Sequence, residues 1–314
     1  SRAASLTPRG GSYTMCISDT PPIVWSSSMP GPSVSAEAFA AAVERVAAHR
    51  NKTVVVKLGG SAMEDPAATR GTLEAVVALQ TLGVRLVLVH GGGKPIDRAM
   101  AAAGLEPKKV AGRRYTDDAT LEIVVRVLGE LNRGLANQIA GLGGSAHSVT
   151  KADEFPIHGE RLLLPGLDLQ PVDLGRVGKP TSVAAFAPHD HIPVIPSLAV
   201  SADDGGWLNV NADTAASAVA GALKAEACYF LTDTPGVLRD VKSPESLIPR
   251  LTRSECEALV RDGVIAGGMI PKVEACFEAL DAGAGKAVIL DGRDRFALLS
   301  GFVGDARAGT EIVP

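Results

Sequence analysis

Two apolar, β-branched runs constrain this chain most, because each ends in glycine: Thr53-Val54-Val55-Val56-Lys57-Leu58-Gly59-Gly60 and Val84-Arg85-Leu86-Val87-Leu88-Val89-His90-Gly91-Gly92-Gly93. They are apolar at consecutive rather than alternate positions, so they read as strands covered on both faces. Between them, residues 66–83 carry helical spacing, with Pro66 suited to a first turn and Gly83 just past the end. Similar apolar runs at 191–200, 227–232 and 286–293, and a short one at 310–313, alternate with helical stretches at 94–105, 117–144, 211–225, 254–264 and 271–283. A further helix is expected over 35–50, with Phe39, Val43 and Val46 on one face. Doubly covered strands separated by helices predict an α/β fold, a three-layer α/β/α sandwich with a mostly parallel central sheet.

The Pro- and Gly-punctuated stretch near 147–180 reads as a hairpin or lid. The chain is expected to divide near residue 185, into an N-terminal lobe over 34–185 and a C-terminal lobe over 186–314. Residues 1–33, rich in Ser, Pro and Gly and poor in acid, are expected to be a disordered N-terminal extension. They also have the look of a transit-peptide remnant, so the plastid stroma stays open beside a cytoplasmic location. Cys16, Cys228, Cys256 and Cys276 form no CxxC pair and are read as reduced thiols.

Composition narrows the partners. A net charge of -4 gives no bulk attraction to nucleic acid or anionic membrane, and 4% aromatic residues offer few base-stacking surfaces. No apolar run approaches bilayer-spanning length. Small-molecule substrates remain.

In open parallel sheets ligands bind beyond the carboxyl ends of the strands, and the unusual residues of this chain cluster there. The turns Gly59-Gly60 and Gly91-Gly92-Gly93 let backbone N–H groups approach an anion, with helix N-termini close behind. Lys57, near the end of an apolar strand, is costly to bury unless it meets an anion or carboxylate. Two better-known nucleotide motifs fail: Gly-Gly-Gly-Lys-Pro lacks P-loop spacing, with Pro95 where Ser or Thr should stand, and the same stretch lacks the dinucleotide GxGxxG. The loop-to-helix junctions Gly112–Asp117, Asn209–Asp213, Leu231–Leu238 and Gly267–Lys272 add anion donors and a carboxylate. That set suits a phosphate-bearing ligand beside an acid without naming the substrate.

Taken in order, VVVKLGG, LVLVHGGGKPID, GRRYTDDAT, NVNADTAA, LTDTPGVL and GGMIPKVEA make the chain resemble the amino-acid-kinase family, and within it the acetylglutamate kinases, over roughly residues 35–314. The resemblance implies ATP-dependent phosphorylation of the γ-carboxylate of N-acetyl-L-glutamate, the second step of arginine biosynthesis, with Mg²⁺ carried by the ATP phosphates and no protein metal site. It implies that Lys57 stabilises the transferring phosphoryl group, that Lys272 holds phosphates on the leaving side, and that Asp213 orients both lysines. Gly91, Gly92, Arg114 and Asn209 would bind the acceptor. Gly60 would meet phosphoryl oxygens. Asp233, Thr234, Gly236, Val237 and Leu238, with Val264, Gly267, Gly268 and Met269, would surround the nucleotide. A homodimer is expected, a hexamer less so.

Neighbouring residues invite plainer readings. Arg113 is taken as a solvated neighbour of Arg114, Asp117 and Asp118 as helix caps, His90 as a packed turn residue, and Trp207 as rim packing. The chain departs from the family after the HGGG turn, with Lys94, Pro95 and Asp97, and Lys94 is read as a solvated lysine. The cover over the acceptor also departs, which leaves acetylaminoadipate, one methylene longer, as an alternative acceptor. A non-catalytic sensor on the same fold is a second alternative.

Overall fold

Strand residues that point alternately into two separate cores decide the layering. The computed structural model describes residues 34–60, 62–110, 113–164, 171–186, 188, 190–304 and 308–314, so the expected disordered stretch 1–33 lies outside the described residues. The first half carries α1 (Ala36–Ala47), β1 (Thr53–Leu58), α2 (Pro66–Thr81), β2 (Arg85–His90), α3 (Gly93–Ala102), the two-residue strands β3 (Lys109–Val110) and β4 (Arg113–Arg114), α4 (Asp118–Gly141) and β5 (Ala146–Ser148). Next come β6 (Ile157–Leu164), β7 (Val172–Val183), β8 (Ile192–Pro196), β9 (Leu198–Ser201) and β10 (Trp207–Val210). The last part holds α5 (Ala212–Ala222), β11 (Ala227–Thr232), β12 (Arg250–Thr252), α6 (Arg253–Arg261), α7 (Ile270–Asp281), β13 (Ala287–Asp291), α8 (Ala297–Val303) and β14 (Gly309–Val313).

Eight strands form one sheet in the order β12-β14-β13-β11-β1-β2-β8-β5. It is parallel apart from β14, which runs antiparallel to β13 and carries β12 parallel to itself. One face of β1 and β2 sends Val55, Val87 and Val89 into a core shared with α3, α4, α5 and α7. The other face sends Val54, Val56, Leu86 and Leu88 against α2, α8 and the last turns of α4. The result is the expected sandwich, with β1 at the centre between β2 and β11.

Two details qualify these expectations. The division near 185 does not fall at a break in the sheet, because β8, which follows it, hydrogen-bonds to β2 and β5. The helix over 35–50 forms, capped by Ser35, but only Val46 of its apolar face is buried, while Phe39 remains 65% exposed. The stretch near 147–180 does contain a hairpin, β6–β7, which closes with β9 and β10 into a small four-stranded barrel. That barrel reaches the site through Gly175, whose φ of +73° is in the left-handed region. A Cβ there would stand 2.3 Å from the Thr116 carbonyl oxygen, so only glycine allows the barrel to dock on the segment after β4.

Candidate active site

β1, β2 and β11 lie side by side and end at the same edge, and a cleft of about 470 Å³ opens where they stop. Lys57 reaches it from the end of β1. Its partners in the sheet are Phe230 and Val89, its residue exposure is 8%, and its ammonium lies 2.7 Å from Asp213 Oδ1. The contact has ion-pair distance but not hydrogen-bond geometry, so Asp213 Oδ1 is enclosed without a hydrogen-bond partner. Asp213 owes its place to α5, whose N-terminus is capped by Asn211 accepting from the amides of Asp213 and Thr214. The chain then turns at Gly59, where a Cβ would meet the Leu231 carbonyl oxygen at 2.7 Å and crowd the Lys57 ammonium. Gly60 faces open space at the cleft.

Gly91, Gly92 and Gly93 form the floor at the end of β2, and Gly92 starts α3. Beneath them lies a buried polar string. His90 Nδ1 meets the Gly91 carbonyl at 3.0 Å, and its Nε2 meets Asn132 Nδ2 at the same distance. Asn132 also donates to the Val194 carbonyl and accepts from Ser148. Those partners require a neutral ring with its proton on Nδ1. Full burial pushes the His90 pKa down to about 4.

Acidification should therefore destabilise the fold. Between the ordinary histidine pKa and about 4, the unfolded chain binds a proton that folded His90 refuses, so stability falls with pH by up to roughly 3 kcal/mol across that window. Urea unfolding at stepped pH would show it as a slope that His90→Gln flattens. An unchanged slope in the variant would remove His90 as the cause.

Another wall of the cleft holds Arg114, Asn209 and Ser197. Arg114 is 10% exposed at its side chain and already engaged: Nη2 donates to Asp97 Oδ1 at 2.5 Å and to the Gly93 carbonyl at 3.3 Å. Asn209 Nδ2 donates to Thr116 Oγ1 at 3.0 Å, and Asn211 caps α5, so the alternating asparagines differ in partners although both line the cleft. Asp117 caps α4 as expected, whereas Asp118 pairs with Arg176. Lys94 is exposed, as a solvated lysine is expected to be, and pairs with Glu64 at the cleft mouth. Trp207 packs edge-on against Phe155.

Across the cleft, Lys272 extends from the first turn of α7, 3.2 Å from Asp233 Oδ1 and 3.4 Å from the Gly268 carbonyl. Lys57 and Lys272 thus share one cleft, each beside a different carboxylate. Asp213 holds Lys57, and Asp233, just beyond β11, holds Lys272. Partial burial works against charge on Asp233, but Lys272, with smaller help from the backbone and Arg293, lowers the carboxyl pKa.

A family model described as "Amino acid kinase family" matches residues 52–291. The chain belongs to the amino acid kinase family. Among relatives of this family member is a protein named acetylglutamate kinase from Methanosphaera stadtmanae, 40% identical over 260 residues that cover 79% of this chain and 87% of that protein. Another of that name, from Sphingopyxis alaskensis, is 40% identical over 297 residues, covering 91% of this chain and 97% of that one. In structure, the chain shares its fold with an N-acetylglutamate synthase from Neisseria gonorrhoeae complexed with coenzyme A and N-acetyl-glutamate, with TM-score 0.74, 23% identity, and coverage of 90% of this chain and 64% of that one.

The remaining predicted residues of this amino acid kinase lie along the loops beside Asp233 and Lys272 rather than in the cleft itself. Gly267, Gly268 and Met269 form a tight turn that delivers α7. Val264 closes the turn after α6 by donating its amide to the Leu259 carbonyl. Thr234 is tied to Thr232. Gly236 packs beneath Thr310, and Leu238 bridges to Leu247. The Val237 side chain is buried, its amide donates to Thr310 Oγ1 and its carbonyl accepts from Ile248, so it shapes the loop. Sequence reasoning missed Asp233 as the partner of Lys272, Asp97 as the partner of Arg114, and the approach of Arg113 to the cleft. The first two were visible only as acidic residues close to the right turns, because side-chain pairing depends on three-dimensional placement.

Proposed function

We propose that this chain transfers the γ-phosphoryl group of ATP to the γ-carboxylate of N-acetyl-L-glutamate, giving an acyl phosphate and ADP. One observation carries the reading: two lysines, reaching from β1 and from α7, enter the same glycine-floored cleft, each beside its own carboxylate. The names and coverage of the relatives support the choice of acceptor.

The chemistry suits the residues. A γ-carboxylate is already ionised at neutral pH, so attack needs no general base. What the reaction needs is alignment, and compensation of charge on the moving phosphoryl oxygens. Lys57 would lie over those oxygens, Lys272 over the phosphates that leave, and the amides of Gly60 and Gly92 would add donors that require no reorganisation. Gly91, Arg114 and Asn209 would hold the acceptor. The turn at 267–269 and the loop after Asp233 would receive the nucleotide. The half of the sheet from β2 to β5 would then serve the acceptor and the half from β11 outward the nucleotide, replacing a division by position in the chain.

Mg²⁺ fits as an ion that arrives with the phosphates. Among the described residues no group of three or more His, Cys, Asp or Glu side chains could hold a metal. The cleft carboxylates Asp213 and Asp233 stand singly, each on a lysine. Bound there, the ion would neutralise phosphate charge, with nucleotide and water as its main ligands.

Hydroxylamine trapping with coupled ADP release tests the proposal, since only an acyl phosphate yields a hydroxamate. Across acetylglutamate, acetylaminoadipate, aspartate, carbamate and uridylate, acetylglutamate should give the highest kcat/KM. Background rates with it beside turnover of another acceptor would sink the assignment.

A further inference from the structure

Five cations line the cleft, and four of them have a carboxylate of their own: Lys57 has Asp213, Lys94 has Glu64, Arg114 has Asp97 and Lys272 has Asp233. Among the described residues Arg113 has none within ion-pair distance. It is not simply solvated, because it is half-buried and stands between two cavities. On one side lies the cleft. On the other lies a cavity of about 340 Å³ between the β6–β7 hairpin and the helices α5 and α7. Glu278 of α7 lines that second cavity and feels the Arg113 charge, but it lies beyond ion-pair distance of the guanidinium.

A half-buried guanidinium without a counter-charge is unfavourable until an anion arrives. Arg114 can direct hydrogen bonds at a carboxylate, but with Asp97 at 2.5 Å the pair as a whole is neutral. An incoming anion therefore meets a dipole at Arg114 and a net charge at Arg113. Arg113 also has a planar fork that can take a carboxylate through two parallel hydrogen bonds. We propose that Arg113 is the residue whose charge draws the non-reacting carboxylate of the acceptor into the cleft, with Arg114 and Asn209 fixing its orientation. The inference rests on the acceptor reading above and extends it. The site selects acceptors with a second carboxylate, and the pull comes from a residue beside the one that the family resemblance singles out.

The test compares the parent enzyme with Arg113→Gln and Arg113→Lys. Acetylglutamate is varied at saturating ATP, and 4-acetamidobutanoate, the same molecule without its α-carboxylate, serves as a competitive inhibitor. Loss of a charge-assisted contact should raise the acetylglutamate KM about tenfold to a hundredfold in Arg113→Gln, with the ATP KM within twofold. Arg113→Lys should recover part of the loss. The inhibition constant of 4-acetamidobutanoate should stay within threefold of the parent, since that molecule lacks the group Arg113 holds. An acetylglutamate KM within threefold of the parent overturns the inference. So does equal weakening of both compounds, which would mark a structural role. Failure of the underlying reading looks different: the parent itself would give no hydroxamate with acetylglutamate, and both would fall.

Discussion

Lys57→Ala is expected to lower turnover at saturating substrates by roughly a hundred- to a thousandfold, the scale on which one fixed donor to developing charge acts in a dry site. The expectation follows from where the strand puts the lysine. β1 is apolar on both faces and paired on both sides, so its backbone cannot relax to bring another group to the cleft. Nor is arginine a substitute. Its planar, wider guanidinium does not reproduce the compact ammonium that lies 2.7 Å from Asp213 Oδ1. Lys57→Arg should therefore recover little. Alanine also leaves the enclosed Asp213 carboxylate without its cation, so the melting temperature should fall. Nucleotide affinity separates chemistry from damage. ADP should bind within about threefold of the parent while turnover collapses, and turnover within about threefold of the parent would take Lys57 out of the reaction.

The sheet was legible because its signals are local. Consecutive Val and Leu from 53 to 58 and from 84 to 89 leave no exposed face, and the helices between them carry Pro66, Gly83 and good capping residues. The positions of Lys57, Asp213 and Lys272 were legible for a related reason, since each lies at the end of a strand or the start of a helix, and such ends gather at one edge of a parallel sheet. Pairing was not legible. Asp213 and Asp233 are both acidic residues beside the cleft, and only the twist of the sheet and the entry angle of α7 decide that Lys272 meets the second. The split at 185 misled because a parallel sheet draws neighbours from distant parts of the chain, so β8 pairs with β2 rather than with the strands that follow it. Arg113 illustrates the same limit. Strand alternation says only that its direction differs from that of Arg114, and the cleft wall it shares with Val177, Asn209 and Asp213 is formed by residues far along the chain.

Lys272→Ala should fail in a different way from Lys57→Ala, and the contrast discriminates between the two lysines. Lys57 is held on a rigid strand and is 8% exposed, so its contribution is concentrated in the step where charge moves. Lys272 sits on the first turn of α7, behind a turn whose Gly267 has φ of +54°, and its side chain retains 21% exposure. It would meet phosphates that carry charge before transfer and gain more on the leaving side as the bond breaks, so its loss removes ground-state binding and, beyond that, transition-state stabilisation. The expected signature is a fall in kcat of roughly a hundredfold joined to a rise in the ATP KM, with the acceptor KM little changed. Asp233→Asn gives the complementary result. It frees Lys272 from a carboxylate that phosphate oxygens would otherwise have to displace, so nucleotide affinity should hold or improve while kcat falls by less than about tenfold, the loss coming from a less firmly aimed ammonium. If Lys272→Ala left kcat/KM for ATP within threefold of the parent, the cleft would have one working lysine rather than two, and the charge of the leaving phosphates would have to be met from the glycine turns and the bound ion alone.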